Sequence, residues 1–411
     1  MRIAYICADR GVPPGGRGGS ATHVREMVRA LVARGIDITV LAAAAEGAPA
    51  VLPCPVVDLQ SGPLCAELRS RIAKTAHADD EGVRAAHESY SLLLNDPLTA
   101  ALDAMTPAPD IIYERQSLWS VAGLETARRR GIPYMLEVNA PLVEQQRQYR
   151  ELGLAATAEA IEGLLFEHAD RVLVTSPALI EYARSRGASR RAVRVLPCGV
   201  PAQMLGAPDK RDRTGVGGER ERFVVGFVGS LKPWHGIDVL LRAFRKLHRL
   251  HMSYRLLIVG DGPLREEIER YLRVNGLDVY ADVVGSVDPS EVARYLSRMD
   301  VGVAPYPALP SFYFSPLKIW EYAAAGVPIA ASESGDLPRL FPHKVAALLH
   351  PPGSASKLAA HIELLRTDPE VTARLTRRAR QVARAHTWDR LAARFDKIAA
   401  DLLRTRRRPP Q

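Results

Sequence analysis

Residues 223–259 read FVVGFVGSLKPWHGIDVLLRAFRKLHRLHMSYRLLIV and contain one complete unit of the architecture. Phe223–Val228 and Arg255–Val259 are short, β-branched apolar runs of strand length. Between them a loop holding Gly229 and Gly236 leads into a helical segment, Ile237–Leu250. Strand, loop, helix, strand is a βαβ unit, which requires a parallel sheet with a crossover helix.

The unit repeats in both directions. Toward the C-terminus the pattern predicts a helix at Pro263–Val274, a strand at Val283–Val284, a helix at Pro289–Ser297, a strand at Val301–Ala304, a helix at Pro316–Ala325 and a strand at Pro328–Ala331. Toward the N-terminus, 206–222 (GAPDKRDRTGVGGERER) is nearly devoid of apolar residues and rich in breakers, a linker signal. Before it a second series starts. Arg2–Cys7 is strand-like, Val24, Met27, Val28, Leu31 and Val32 form one apolar helical face, and Gly35 stops that helix ahead of the strand Ile36–Ala42. Further strands are expected at Asp110–Tyr113, Pro133–Val138, Arg171–Thr175 and Val193–Leu196, whereas 51–91 shows no clear pattern. The expectation is two Rossmann-like parallel-sheet domains, 1–205 and 223–385, facing a cleft, followed by a terminal segment, 386–411. Ligands of such sheets bind at the carboxyl ends of the strands.

Composition fits this reading. The 411 residues are 47% hydrophobic and 25% charged, ordinary values for a globular chain. The net charge of +9 invites a nucleic-acid partner, but only eight of the 55 basic residues are lysine and the single dense run is Arg404–Arg408. No cluster of basic and aromatic residues marks a nucleic-acid surface, so weak contact with an anionic membrane is the only polyanion reading left open. Cys7, Cys54, Cys65 and Cys198 are scattered without metal-ligand or disulfide spacing. No apolar run approaches the length of a membrane span, and the first such run, Ile3–Ala8, is too short for a secretion signal. A reducing cytoplasm is expected, with the inner membrane face as a peripheral location.

Three segments carry candidate chemistry. The loop DRGVPPGGRGGSATHV precedes a helix start, where free N–H groups bind anions and Gly18 and Gly19 permit close backbone approach. A plain turn is the alternative. His23 falls in the first helical turn, where the positive helix end favours a neutral imidazole, or else it caps the helix from the surface. In Gly229–Gly236 a strand end, two glycines and a helix start coincide with Lys232 and His235, cationic candidates for a diphosphate. In SFYFSPLKIWEYAAAGVPIAAS, Ser315 and Pro316 open a helix, with Lys318 in its first turn against the helix dipole. An anionic ligand at that end rationalises the lysine. Glu321, three residues on, shares its face and can accept two ribose hydroxyls; a surface Lys–Glu pair is the alternative.

Taken together, GG…HV, GSLKPWHG, LLIVGDGPLR, VVGSVDPSEV and SPLKIWEYAAAGVPIAAS resemble the family-four retaining glycosyltransferases of GT-B fold, and TWDRLAARF is similar to that family's C-terminal helix crossing back to the first domain. The resemblance implies that Glu321 binds the nucleotide ribose. It also implies that Ser315, Pro316, Leu317 and Lys318 meet the donor sugar and diphosphate, Gly260, Asp261 and Gly262 form the glycine loop, and Val287 lies beside the base. Gly18 and Gly19 match the loop between diphosphate and acceptor. The sequence departs from the family pattern at Tyr313 (the first Glu of its E-x7-E motif), Ser230 (Arg), His235 (Lys), Asn139 (His) and Cys198 (Asn).

The expected activity is retaining transfer from a nucleoside-diphosphate sugar, UDP-linked first and GDP-linked second, to a small-molecule, secondary-metabolite, glycan or lipid acceptor. Lys318, His235 and Asn139 are the catalytic candidates; Gly229, Lys232, Gly260, Asp261 and Val287 join the donor site, and Gly18, Gly19 and His23 the acceptor side. Neither a metal nor a cofactor is expected. Glu114, Arg115 and Glu137 read either as acceptor contacts or as buried pairs holding the sheet. A catalytically silent sugar-nucleotide binder and a nucleotide-sugar epimerase are the rival readings, separable by turnover and by product analysis.

Overall fold

The computed structural model describes residues 1–75, 80–149, 151–206, 222–309, 312, 313, 315 and 317–407. The first domain holds seven strands: β1 Arg2–Cys7, β2 Asp37–Ala42, β3 Val56–Asp58, β4 Ile111–Arg115, β5 Tyr134–Val138, β6 Arg171–Val174 and β7 Val193–Val195. They pair in parallel in the order β3-β2-β1-β4-β5-β6-β7. The second holds six, β8 Phe223–Val228, β9 Tyr254–Val259, β10 Ala281–Gly285, β11 Val301–Ala304, β12 Ile329–Ser332 and β13 Leu348–His350, ordered β10-β9-β8-β11-β12-β13. Both sheets reverse direction of growth once, between β1 and β4 and between β8 and β11. Those two points are where the loops diverge and leave a crevice at the strand ends.

The central strands, such as β1, β4, β5 and β11, are buried on both faces, which is why they read as near-continuous apolar runs. The helix Trp388–Arg407 leaves the second domain and lies along Gly19–Ala33 of the first. Its Phe395 packs on Tyr113 with ring centroids 4.7 Å apart, and Tyr113 in turn meets Tyr5 at 5.0 Å. Arg34 joins Asp396 at 2.9 Å and Arg406 joins Asp170 at 2.9 Å. The expected return of the C-terminal helix to the first domain is thus present.

The expected linker falls almost wholly on 207–221, outside the described residues. The unpatterned stretch 51–91 contributes β3 and the helices Pro63–Thr75 and Asp80–Leu93. The helix expected at Pro289–Ser297 is a 3-10 turn, Pro289–Glu291, running into a short α-helix, Val292–Leu296. No helix among the described residues is long and apolar enough to cross a membrane.

Candidate active site

Between the two sheets lies a cleft of about 1680 Å3. From the first domain it is lined by Gly18, Gly19, His23, Arg115, Asn139 and Cys198. From the second it is lined by Gly229, Lys232, His235, Gly260, Asp261, Val287, Ser315, Leu317, Lys318 and Glu321. Residues more than 300 positions apart therefore share one wall-to-wall space. Pro316 lies outside the described residues.

The second-domain wall is built by glycines. Gly229 (φ +140°) ends β8, and a Cβ there would stand 3.0 Å from Nζ and Cε of Lys318. Gly260 (φ +143°) ends β9, and its Cβ would meet the Gly229 carbonyl at 2.0 Å. Two adjacent strand ends thus turn against each other at a spacing only hydrogen side chains permit. Asp261 caps this crossing: its Oδ1 accepts from the Gly262 N–H at 2.8 Å and its carboxylate faces Arg265 at 3.5 Å.

Lys318 is the second residue of the helix Leu317–Ala325 and is 6% exposed. Its Nζ sits 4.4 Å from the Phe227 ring centroid and 5.4 Å from that of Tyr306. Burial lowers the ammonium to about 7, against a smaller opposing effect of Glu321. Burial likewise raises the Glu321 carboxyl to about 7, partly offset by Lys318. The surface-pair alternative is excluded by this burial.

His235 does not supply the cation expected of it. Burial lowers the imidazole to about 3, and the charge of Lys318 adds to that effect. Its Nδ1 lies within hydrogen-bonding reach of the Ser230 carbonyl, which makes Nδ1 the donor and leaves Nε2 as an acceptor. Lys232 does carry charge into the cleft, with Nζ 5.0 Å from the Trp234 ring centroid. Ser315 Oγ accepts from the Cys198 N–H at 3.1 Å, linking the two domains across the cleft floor.

On the first-domain wall Glu137 is the hub. Its Oε1 lies 3.0 Å from His23 Nε2, 2.9 Å from Arg115 Nη1 and 2.6 Å from Asn139 Nδ2, and Tyr113 donates its hydroxyl to Oε2. Burial alone would raise this carboxyl, but the charge and hydrogen bond of His23, with Arg115 and Tyr113, hold it well below the usual range. The neutral imidazole expected from the helix dipole is accordingly overturned. Burial opposes the His23 cation, yet Glu137 and the Cys198 sulfur, 3.3 Å from Nδ1, raise it to about 9. A carboxylate at contact distance outweighs a diffuse dipole. Nor is His23 at the surface: it is 5% exposed and its ring meets Trp388 edge-on at 5.1 Å. Glu114 is different again. Buried against the Tyr134 hydroxyl at 2.9 Å, it is pushed up to about 7 and does not line the cleft.

Tyr313 is packed into the apolar core of the first domain, and its carbonyl accepts from Ser176 Oγ at 2.8 Å. It serves the domain junction and does not line the cleft. Gly18 and Gly19 have ordinary backbone angles; a Cβ on Gly18 would meet open space and one on Gly19 would touch only Leu317, at 3.4 Å. Their small size keeps the cleft open. Arg25, which the sequence reading passed over, reaches back to the carbonyls of Pro14 (2.9 Å) and Gly16 and fixes the glycine loop. An arginine on the apolar flank of an amphipathic helix was the available signal.

Two facing parallel sheets with a shared polar cleft define a GT-B architecture, and residues 222–368 match the family of glycosyl transferases group 1 while 18–199 match the glycosyl transferase 4-like domain. The chain belongs to these glycosyltransferases. It is similar to glycogen synthase of Mycobacterium tuberculosis, 24% identical over 428 residues spanning 100% of this chain and 97% of that protein. In fold it resembles sucrose-phosphate synthase from Thermosynechococcus elongatus, with TM-score 0.75 and 23% identity over 98% of this chain and 100% of the other. It also resembles Anabaena HepE in complex with UDP-glucose, with TM-score 0.70 and 18% identity over 98% of this chain and 100% of that one.

Proposed function

We propose that this glycosyltransferase moves a sugar, with retention of anomeric configuration, from a nucleoside-diphosphate sugar held by the second domain to an acceptor held by the first. The observation that carries this is the pairing of Lys318 and Glu321 on the first turns of one helix beside the Gly229–Gly260 crossing. In this reading Glu321 accepts the ribose hydroxyls, Lys318 and Lys232 meet the diphosphate, and Val287 lies beside the base. UDP is the favoured nucleotide; the likeness to a structure holding UDP-glucose supports it. Among the described residues no group of three or more His, Cys, Asp and Glu side chains is placed to hold a metal ion. The reaction we propose is metal-independent, with the donor's own phosphate taking the acceptor proton and the leaving group departing from the same face. The chain's part is orientation and charge stabilisation. Lys318 neutralises charge that grows on the diphosphate, His235 positions the loop through Ser230, and Asn139 with the Glu137 hub orients the acceptor, a small molecule, glycan or lipid.

Calorimetry with UDP and GDP tests the donor site. Glu321→Ala should weaken the preferred nucleotide by about 1–3 kcal/mol, and unchanged affinity for both would remove the assignment. Proton NMR of the first-formed product reads the anomer, and activity in a chelator reads the metal requirement. Turnover without an acceptor would instead favour an epimerase.

A further inference from the structure

A second recess, of about 470 Å3, shares no residue with the cleft. Its floor is a cationic stripe on the helix Ile237–Leu250: Arg242, Arg245, Lys246 and Arg249, spaced i, i+3, i+4 and i+7. Tyr271, from the helix Arg265–Val274, forms one flank. The other is the turn Gly353–Ser356, which opens the 13-residue helix Ala355–Thr367. Among the described residues no carboxylate lines this recess.

Like charges on neighbouring turns repel, so such a stripe is unfavourable unless something answers it. Part of the answer is internal: Arg242 pairs with Asp238 at 2.8 Å, and Lys246 donates to Ser356 Oγ at 2.7 Å. Among the described residues no acid stands within 4.0 Å of Arg245 or Arg249, and both residues line the recess. The recess also lies at the positive end of the helix Ala355–Thr367. One ligand chemistry answers both features at once.

We infer that this recess binds a phosphate monoester. Two guanidinium forks engage phosphate oxygens in the bidentate manner arginine favours. The Ser356 hydroxyl, which accepts from Lys246, has its own O–H left to donate. The volume suits a small phosphorylated molecule. Just beyond Arg249, Leu250 and Met252 are 65% and 66% exposed, an apolar lip that would equally meet the acyl chains of a phosphate-headed lipid. Both sources present the same headgroup chemistry, and the experiment separates them.

With the cleft saturated by UDP, the full-length protein is titrated with glycerol 3-phosphate by calorimetry and floated with vesicles of phosphatidic acid or of phosphatidylcholine. One equivalent of glycerol 3-phosphate should bind. Arg245→Ala/Arg249→Ala should weaken it by about tenfold or more, with UDP affinity unchanged. Flotation with phosphatidic acid, absent with phosphatidylcholine and lost in the double variant, assigns the lipid source; soluble-ester binding without flotation assigns a metabolite. The inference is overturned if neither probe binds, if the double variant binds as the wild type does, or if the ester merely displaces UDP.

Discussion

At Lys318 and Glu321 the same burial acts on two opposite charges and brings both to about 7. The proposed ligand acts on them in opposite senses. A diphosphate stabilises the ammonium and lifts its pKa on binding, so affinity should fall as pH rises above about 7. Ribose hydroxyls stabilise the carboxylate and depress its pKa, so affinity should also fall as pH drops below about 7. Nucleotide binding should therefore be bell-shaped in pH, with protons taken up on the alkaline side and released on the acid side. Calorimetry in buffers of different ionisation enthalpy reads this directly. Glu321→Gln should abolish the acid limb and Lys318→Met the alkaline one; a flat profile would mean neither group meets the nucleotide.

The Glu137 hub makes the converse case. His23 is raised from 6.5 to about 9, so its contribution to stability is complete below about 6.5 and lost as pH rises through 9. Thermal melting should weaken across that window in the wild type and stay flatter in His23→Gln. Glu137→Gln strands Arg115 and His23 in a buried site and should cost about 3–5 kcal/mol, the usual result of removing one partner of a buried pair. A loss below about 1 kcal/mol would show that the hub is screened.

At the scale of elements, the strand ends do more than their side chains suggest. Gly229→Ala places a methyl against the far end of Lys318 and forces a non-glycine residue to φ +140°. Nucleotide affinity should drop by about tenfold or more with only a small fall in melting temperature, because Lys318 can swing aside while the sheet persists. These elements were legible in sequence wherever both faces of a strand are buried, as in β1, β8 and β11. They were illegible where burial is partial. β3 exposes Val57 and is three residues long, and the helices around it present mixed, half-buried faces with no clean period. In the site, Gly18, Gly19, Gly229, Lys318 and Glu321 could be read from the local pattern, whereas Gly260 was reached only through the family resemblance. The charge on His23 and the neutrality of His235 could not be read, because each depends on a partner distant in the chain or on burial that no local pattern encodes.

The whole molecule is tied together at three depths. In the crossing segments, the Val200 N–H donates to the His386 carbonyl at 3.0 Å and the Trp388 N–H to the Val200 carbonyl at 3.2 Å, a small bridge between the two passages of chain. The Cys198–Ser315 hydrogen bond lies on the cleft floor and the Ser176–Tyr313 bond in the domain junction outside the cleft. At the rim, among the described residues, Arg17 meets Asp288 at 3.4 Å and Tyr149 meets Trp234 at 4.8 Å between ring centroids across the cleft mouth. Both are weak by nature. An exposed ion pair is worth about 0–1 kcal/mol and an aromatic pair about 0.5–1.5 kcal/mol. Together they amount to roughly a tenfold bias between closed and open arrangements, while the bridge and floor set the axis about which the domains would part. Removing the two first-domain partners isolates that bias, since neither alters the second-domain nucleotide wall. Arg17→Ala/Tyr149→Ala should therefore keep its melting temperature and its UDP affinity within about twofold, yet show a larger radius of gyration by solution scattering without nucleotide, and lose about tenfold in transfer rate because the acceptor wall no longer closes on the donor. If scattering and rate both match the wild type, the rim contacts are incidental and closure is set by the floor alone.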